Sequence, residues 1–383
     1  MVKTYPFELL TYPHGNDPAG FDAGKCAEVY DSHFQTWVEC EDLGYDGVLF
    51  SEHHFTAYNL SPSPNLLVAA LAQRTSRMRL GVMCNVLPFH NPVRLAEETA
   101  MLDYLTGGRL EVGFGRGADA YEFEKMGIPH EQTRGIFEES LQLMRKAWDN
   151  PVFSHHGQHF SYTDASIWPR PMNPVRPWIT CISPETVEFA AREGYKIGLA
   201  YLPAAQMAEY VQLYRRTVAE VGGDPDTMQS GVLRSVVIAP TDAEADDIAA
   251  PALGHLFNLF KKVAVFRDLD HVPKGYEFYS SFFRPFAGTV SYEDLRDAGI
   301  VIVGSPETVR DRLVDQVETI GTENVIMFAS FGDLQVEHIR QTYRLYAEHV
   351  MPVIRELRPR DCSAGTSGPP SPHALRTEPK PLA

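Results

Sequence analysis

Nowhere does this sequence run through the roughly 18 consecutive apolar residues that a membrane-spanning helix needs. Its first residues, MVKTYPFELLTYPHG, hold too short an apolar stretch for a secretory signal peptide. A soluble cytoplasmic protein is expected. Positive charge is scarce as well: 34 Lys and Arg stand against 50 Asp and Glu, a formal net charge of −16, with no basic block. That balance argues against nucleic acid or an anionic membrane as the main partner. Cysteine is sparse and unpatterned. Cys26, Cys40, Cys84, Cys181 and Cys362 show neither metal nor redox spacing, so they read as reduced core thiols with one in the tail. HExxH is absent too, and no metal is expected.

What the sequence does have is alternation. Strand-like runs at Pro6 to Tyr12, Asp46 to Phe55, Met78 to Cys84, Arg109 to Phe114, Trp178 to Ile182, Lys196 to Tyr201, Ser230 to Ala239 and Asn324 to Ser330 are separated by helical patterns. Eight such units define a single α/β (β/α)8 TIM barrel over residues 1–358. Two insertions interrupt it. Residues 151–177 after the fourth helix read as a hairpin, and an aromatic stretch at 266–286 after strand seven reads as a lid. Ala118 to Pro129 reads as an irregular polar segment. Residues 359–383, rich in Pro, lack a buried-face pattern and are expected to be a disordered tail.

In such a barrel, chemistry sits where strands end. DGVLFSEHHF, Asp46 to Phe55, breaks from an apolar run into Ser-Glu-His-His. Alternation puts Glu52 and His54 on one face and His53 on the other with Leu49 and Ser51. One histidine can then enter a cavity while the other lies in the wall, although a lone histidine in a buried strand is as often a satisfied core residue. After strand four, Gly113-Phe114-Gly115-Arg116-Gly117 formally fits GxGxxG/A but lacks the helix and acidic residue of a dinucleotide fold. An arginine within a glycine turn suits a monophosphate better. Ser183-Pro184-Glu185-Thr186 offers a helix N-terminus with two hydroxyls; an ordinary cap is the alternative.

These motifs together carry a family resemblance. FELLTYP at the start, EHHFT at 52–56, VLPFHNPVRLAEE at 86–98, LDYLTGGRLEVGFGRG at 102–117, SPETVEFAAREG at 183–194 and VGSPETVRDRL at 303–313 resemble the luciferase-like flavin-dependent monooxygenase family, bacterial luciferase alpha subunits most of all, across roughly residues 1–358. The resemblance implies a barrel that binds reduced FMN, delivered by a separate flavin reductase. O2 is the co-substrate, and a C4a-(hydro)peroxyflavin oxygenates a small molecule. It implies His53 as the catalytic residue, Arg116 with Ser183 and Thr186 at the phosphate, and a cis peptide between Met83 and Cys84 at the flavin edge, with Asn85 in the turn that follows. A homodimer through the helices after strands two and three is implied as well.

Two departures stand out: luciferase has a cysteine at the position of Gly115 and a glutamate at that of Ile182. The glycine is expected to leave more room beside the ring, which argues against the aldehyde-and-light reaction. The aromatic 266–286 stretch points to an apolar or aromatic substrate. The alternatives are an F420-dependent oxidoreductase of the same superfamily and a flavin-binding protein without catalysis.

Overall fold

Apolar residues in the strands divide by parity into two buried populations. Tyr5, Phe7, Leu49, Met83, Trp178, Leu233, Ile326 and Phe328 pack together inside a cylinder, while their strand neighbours Val48, Phe50, Leu80 and Val82, or Val112, Phe114 and Ile197, pack outward against helices. Burial on both faces is what produces continuous apolar runs in parallel strands. The computed structural model describes residues 1–15, 17–225, 228–262 and 291–358, with side chains through 256 in the third span.

The chain forms β1 (Lys3–Glu8), α1 (Ala23–Asp42), β2 (Gly47–Phe50), α2 (Pro64–Ala72), β3 (Arg79–Val86), α3 (Pro92–Leu105) and β4 (Leu110–Gly115). Then follow α4 (Ala120–Met126), α5 (Thr133–Asp149), an antiparallel hairpin of β5 (Phe153–His156) and β6 (Ser161–Ala165), β7 (Trp178–Cys181), α6 (Pro184–Arg192), β8 (Lys196–Leu199), α7 (Ala204–Glu220) and β9 (Ser230–Ile238). After α8 (Asp242–Lys262) come β10 (Val301–Gly304) and β11 (Asn324–Ser330), with helices at Pro306–Ile320 and Val336–Leu345. Strands β1, β2, β3, β4, β7, β8, β9 and β11 pair in parallel in that order, and β11 returns to β1. The result is the closed eight-stranded TIM barrel expected from the sequence.

A buried carboxylate sits toward the barrel's N-terminal end. Glu111 accepts from Arg79 Nε at 2.5 Å, Lys196 Nζ at 2.7 Å and Trp178 Nε1 at 2.8 Å. Burial alone would raise its pKa, but Lys196 and Arg79 bring it below the ordinary glutamate value.

Several expectations change. The first strand lies at Lys3–Glu8 rather than Pro6 to Tyr12, because its pairing with β11 begins at Lys3 opposite Asn324. Val301–Gly304 is a further parallel strand beside the second half of β9 that the sequence reading did not include. Ala118 to Pro129 is not irregular: Asp119 caps α4 through Tyr121 N at 2.9 Å, and Gly127 at φ +70° ends it. The expected lid at 266–286 and the expected tail from 359 lie outside the described residues. Among the described residues no helix is long and apolar enough to cross a membrane.

Candidate active site

Leu10, Phe55 and Tyr201, which follow β1, β2 and β8, carry φ values of +33°, +62° and +59°. Side chains other than glycine adopt this region at a cost, and such residues gather at functional sites. All three lie at the C-terminal end of the barrel.

β2 ends at Phe50 rather than Phe55, so the two histidines lie in the segment beyond it, where they still part in opposite directions as the alternation predicted. His54 Nε2 and His90 Nε2 both meet Glu52 Oε1, at 3.0 and 2.9 Å, and Val86 N donates to Glu52 Oε2 at 2.7 Å. Glu52 is buried, which raises its pKa, yet the bonds from His54, His90 and Val86 bring it below the ordinary value. The carboxylate thus ties the ends of β2 and β3 together. His53 takes the other direction. Its Nδ1 lies 3.2 Å from Glu122 Oε1 on α4 and 2.6 Å from the Tyr58 hydroxyl. Glu122 Oε1 also accepts from His54 N at 2.6 Å. Burial pulls the His53 pKa down, but the neighbouring Glu122 carboxylate, with smaller help from Asp119 and Glu52, raises it above the usual histidine value. The His53 side chain remains 32 % exposed, and Nε2 makes no hydrogen bond among the described residues. Asp119, the N-cap residue three positions before Glu122, is pushed up to about 6 by burial and by Glu122.

On β3 the Met83–Cys84 peptide is cis, as the resemblance implied. Asn85 beside it is buried, and neither its Nδ2 nor its Oδ1 has a partner among the described residues. A buried amide with both ends unsatisfied is costly unless something else completes it. On β4 a Cβ at Gly115 would overlap Cys84 Sγ and come within 2.9 Å of Thr180 Oγ1. The extra room expected from this glycine is therefore not there, because the Cys84 side chain fills it.

The turn after β4 is tight for a different reason. Gly117 has φ +82°, and a Cβ there would lie 2.7 Å from Val86 Cγ1 and 2.8 Å from Phe123 Cζ. Arg116, half-buried, stands between these two glycines. β4 and β7 are hydrogen-bonded neighbours, so Arg116 and the Ser183 segment extend from adjacent strand ends. Ser183 occupies the N-cap position of α6 but makes no capping bond; its hydroxyl lies 3.2 Å from that of Thr186. The hydroxyls and the first N–H groups of α6 are thus not spent on capping.

Sequence reasoning missed Tyr58, Glu122, Asp119 and Thr180. Tyr58 is five residues from His53 and carried no pattern. Glu122 was hidden by the irregular reading of 118–129, although an Asp-to-Gly interval at helix length was the available signal.

The fold is a (β/α)8 barrel in which His53, Glu122, Asn85, Arg116 and Ser183 gather at the C-terminal strand ends, and its class comes from its relatives. The chain belongs to the luciferase-like monooxygenase family, whose model matches residues 11–324. It is 29 % identical over 320 residues to protein y4wF of Sinorhizobium fredii, covering 82 % of this chain and 89 % of that one. It is 25 % identical over 338 residues to the alkanal monooxygenase alpha chain of Photobacterium leiognathi, covering 86 % and 94 %. Among solved structures, monooxygenase RslO1 from Streptomyces bottropensis superposes with a TM-score of 0.74 at 26 % identity, covering 91 % and 99 % of the two chains. The fold is shared with proteins of different cofactors. The oxygenating constituent of 3,6-diketocamphane monooxygenase from Pseudomonas putida, in complex with FMN, has a TM-score of 0.74 at 22 % identity, covering 94 % and 99 %. An F420-dependent secondary alcohol dehydrogenase has 0.70 at 16 %, covering 93 % and 99 %.

Proposed function

We propose that this protein is the oxygenase of a two-component system. It would receive reduced FMN from a separate flavin reductase and use O2 to oxygenate a small apolar or aromatic molecule in the cytoplasm. The observation that carries this reading is His53, anchored through Nδ1 by Glu122 and Tyr58 with Nε2 left for the cavity side.

The residues present suit FMN. The Asn85 amide offers an unpaired donor and acceptor to a heterocycle edge beside the cis bond. Arg116, Ser183 and Thr186 offer a guanidinium, two hydroxyls and a helix N-terminus to a terminal phosphate. The bound cofactor would supply the electrons that activate O2. His53 would hold and return one proton at Nε2, a task suited to imidazole, whose ordinary pKa lies near neutrality. Glu122 fixes the ring orientation and favours the imidazolium, and the Tyr58 phenol, whose pKa burial pushes well above the ordinary value, stays neutral beside it. The absence of a carboxylate at Ile182 removes charge repulsion from the phosphate end.

Equilibrium titration with FMN, photoreduced FMN and F420, followed by O2 admission to the reduced complex, tests the reading. Reduced FMN is expected to bind more tightly than F420 and to consume O2. Tighter F420 binding with no O2 uptake would make the protein a hydride-transferring oxidoreductase, and tight flavin binding with no turnover on any apolar acceptor would make it a flavin carrier. His53→Ala is expected to retain flavin binding while O2 is released as H2O2; full product formation in this variant removes His53 from the mechanism.

A further inference from the structure

Lys3, Arg79, Leu110 and Lys196, the first residues of β1, β3, β4 and β8, line one cavity of about 320 Å³ at the N-terminal mouth of the barrel. This is the end opposite His53 and Arg116, and the volume suits a small metabolite. The charges around it do not cancel. Glu111 accepts from Arg79 Nε and Lys196 Nζ, and Asp103 is taken up by the backbone N–H groups of Met172 and Asn173 at 2.8 and 3.0 Å. Lys3 and Arg176, which line the same cavity, form no ion pair among the described residues. Four cations thus meet two carboxylates, in a chain whose formal net charge is −16. A concave wall concentrates such a field. Lys196 registers the excess: burial lowers its pKa, Glu111 opposes this, and Arg79 and Lys3 lower it further.

We propose that this mouth is a second binding site, for a small dianion carrying carboxylate or phosphate groups, held between Lys3 and Arg176 with Arg79 and Lys196 behind them. The charge of the ligand follows from the excess of two. A monoanion leaves one cation unmatched, and the exposed Arg176 guanidinium at the rim can grip a carboxylate or phosphate with two parallel bonds. Lys196 commits one of its three ammonium donors to Glu111. Arg79 commits Nε to Glu111 and Nη2 to Leu110 O, which leaves Nη1. A ligand bridging Lys3 on β1 to Arg176 before β7 joins distant segments of the chain, and by binding only the folded state it raises stability. The site shares no residue with the one at the C-terminal strand ends and does not rest on the flavin reading.

The test is calorimetric titration of the full chain with succinate, inorganic phosphate and acetate at constant ionic strength, alongside thermal unfolding with the same additions. The wild type should bind one equivalent of a dianion more tightly than acetate, and its unfolding midpoint should rise. Tighter succinate binding assigns a dicarboxylate ligand; tighter phosphate binding assigns a phosphate group. Lys3→Gln combined with Arg176→Gln should weaken the dianion by about tenfold or more, whereas Arg116→Ala, at the other end of the barrel, should leave this binding intact. The double variant also separates binding from general salt effects, which act on both proteins alike. Arg176→Gln alone, at an exposed position, serves if the double variant does not fold. Three results would overturn the site: neither dianion binds, acetate binds as tightly, or binding survives in the Lys3 and Arg176 variants and is lost in Arg116→Ala.

Discussion

The Tyr58 hydroxyl lies 2.6 Å from Nδ1 of His53, the nitrogen that also faces Glu122 Oε1 at 3.2 Å. One nitrogen is held by two groups of opposite preference. The carboxylate favours a proton on Nδ1, while the phenol can accept from that proton or donate to the bare nitrogen. Which state holds depends on pH, and it determines what Nε2 can do.

Glu122→Gln removes the main influence that raises the His53 pKa and leaves the burial that lowers it. A rate limb arising from His53 should therefore move to lower pH. The pH profiles of kcat/KM for wild type and variant measure the displacement; an unmoved or upward-moving limb would break the assignment. The same ion pair ties stability to pH. Because the folded His53 pKa is raised, its contribution is complete below the unfolded value near 6.5 and fades as pH rises through the folded value.

Arg116→Ala should weaken FMN binding by about 1.5–3 kcal/mol, as expected for the loss of a hydrogen bond to a charged group. Riboflavin, which lacks the phosphate, should bind both proteins alike. Fluorescence titration of the two ligands separates a phosphate contact from a ring contact, and equal losses would place Arg116 elsewhere.

Glu41 near the end of α1 accepts from the backbone N–H groups of Ser76, Arg77 and Met78 at 2.8–3.0 Å, pinning the entry to β3. Burial opposes ionisation, but these bonds outweigh it and hold the carboxyl at about 2. A depressed folded pKa stabilises the protein above the unfolded value, and that contribution disappears as pH falls from about 4.5 toward 2. Glu41→Ala should cost about 3 kcal/mol at pH 7 and less at pH 3, measured by urea unfolding at the two pH values. An equal loss at both would show that the carboxylate charge is not responsible.

Leu66 on α2 and Met101, Tyr104 and Leu105 on α3 are 70 %, 52 %, 52 % and 45 % exposed, on helices that contact each other. An apolar face of this kind is unusual on a monomer surface. A homodimer through these helices is expected, and Leu66→Asp with Tyr104→Asp should convert it to a monomer with the barrel intact. Sedimentation velocity at micromolar concentration decides; a monomeric wild type removes the proposal.

The barrel was legible because its cause is local and repeated. Runs such as Gly47-Val48-Leu49-Phe50 are apolar at every position because both faces are buried, and the intervening helices announce themselves through Asn91 as a cap with Pro92 behind it. The divergence of His53 from Glu52 and His54 was also legible in one dimension, from the two-residue alternation of the chain, although the strand itself stops at Phe50. Pairings across the fold were not. Glu122 reaches His53 from 69 residues away, on a seven-residue helix whose polar composition gives no period to read. At Gly115 the residue itself suggested vacant space, while the side chain that fills it comes from Cys84 on the neighbouring strand. Composition and periodicity determined which strands form and which way their ends point. Only the closing of the sheet, which brings β3, β4 and β7 edge to edge, decided what each end meets, because those contacts depend on register and close packing between segments far apart in the chain.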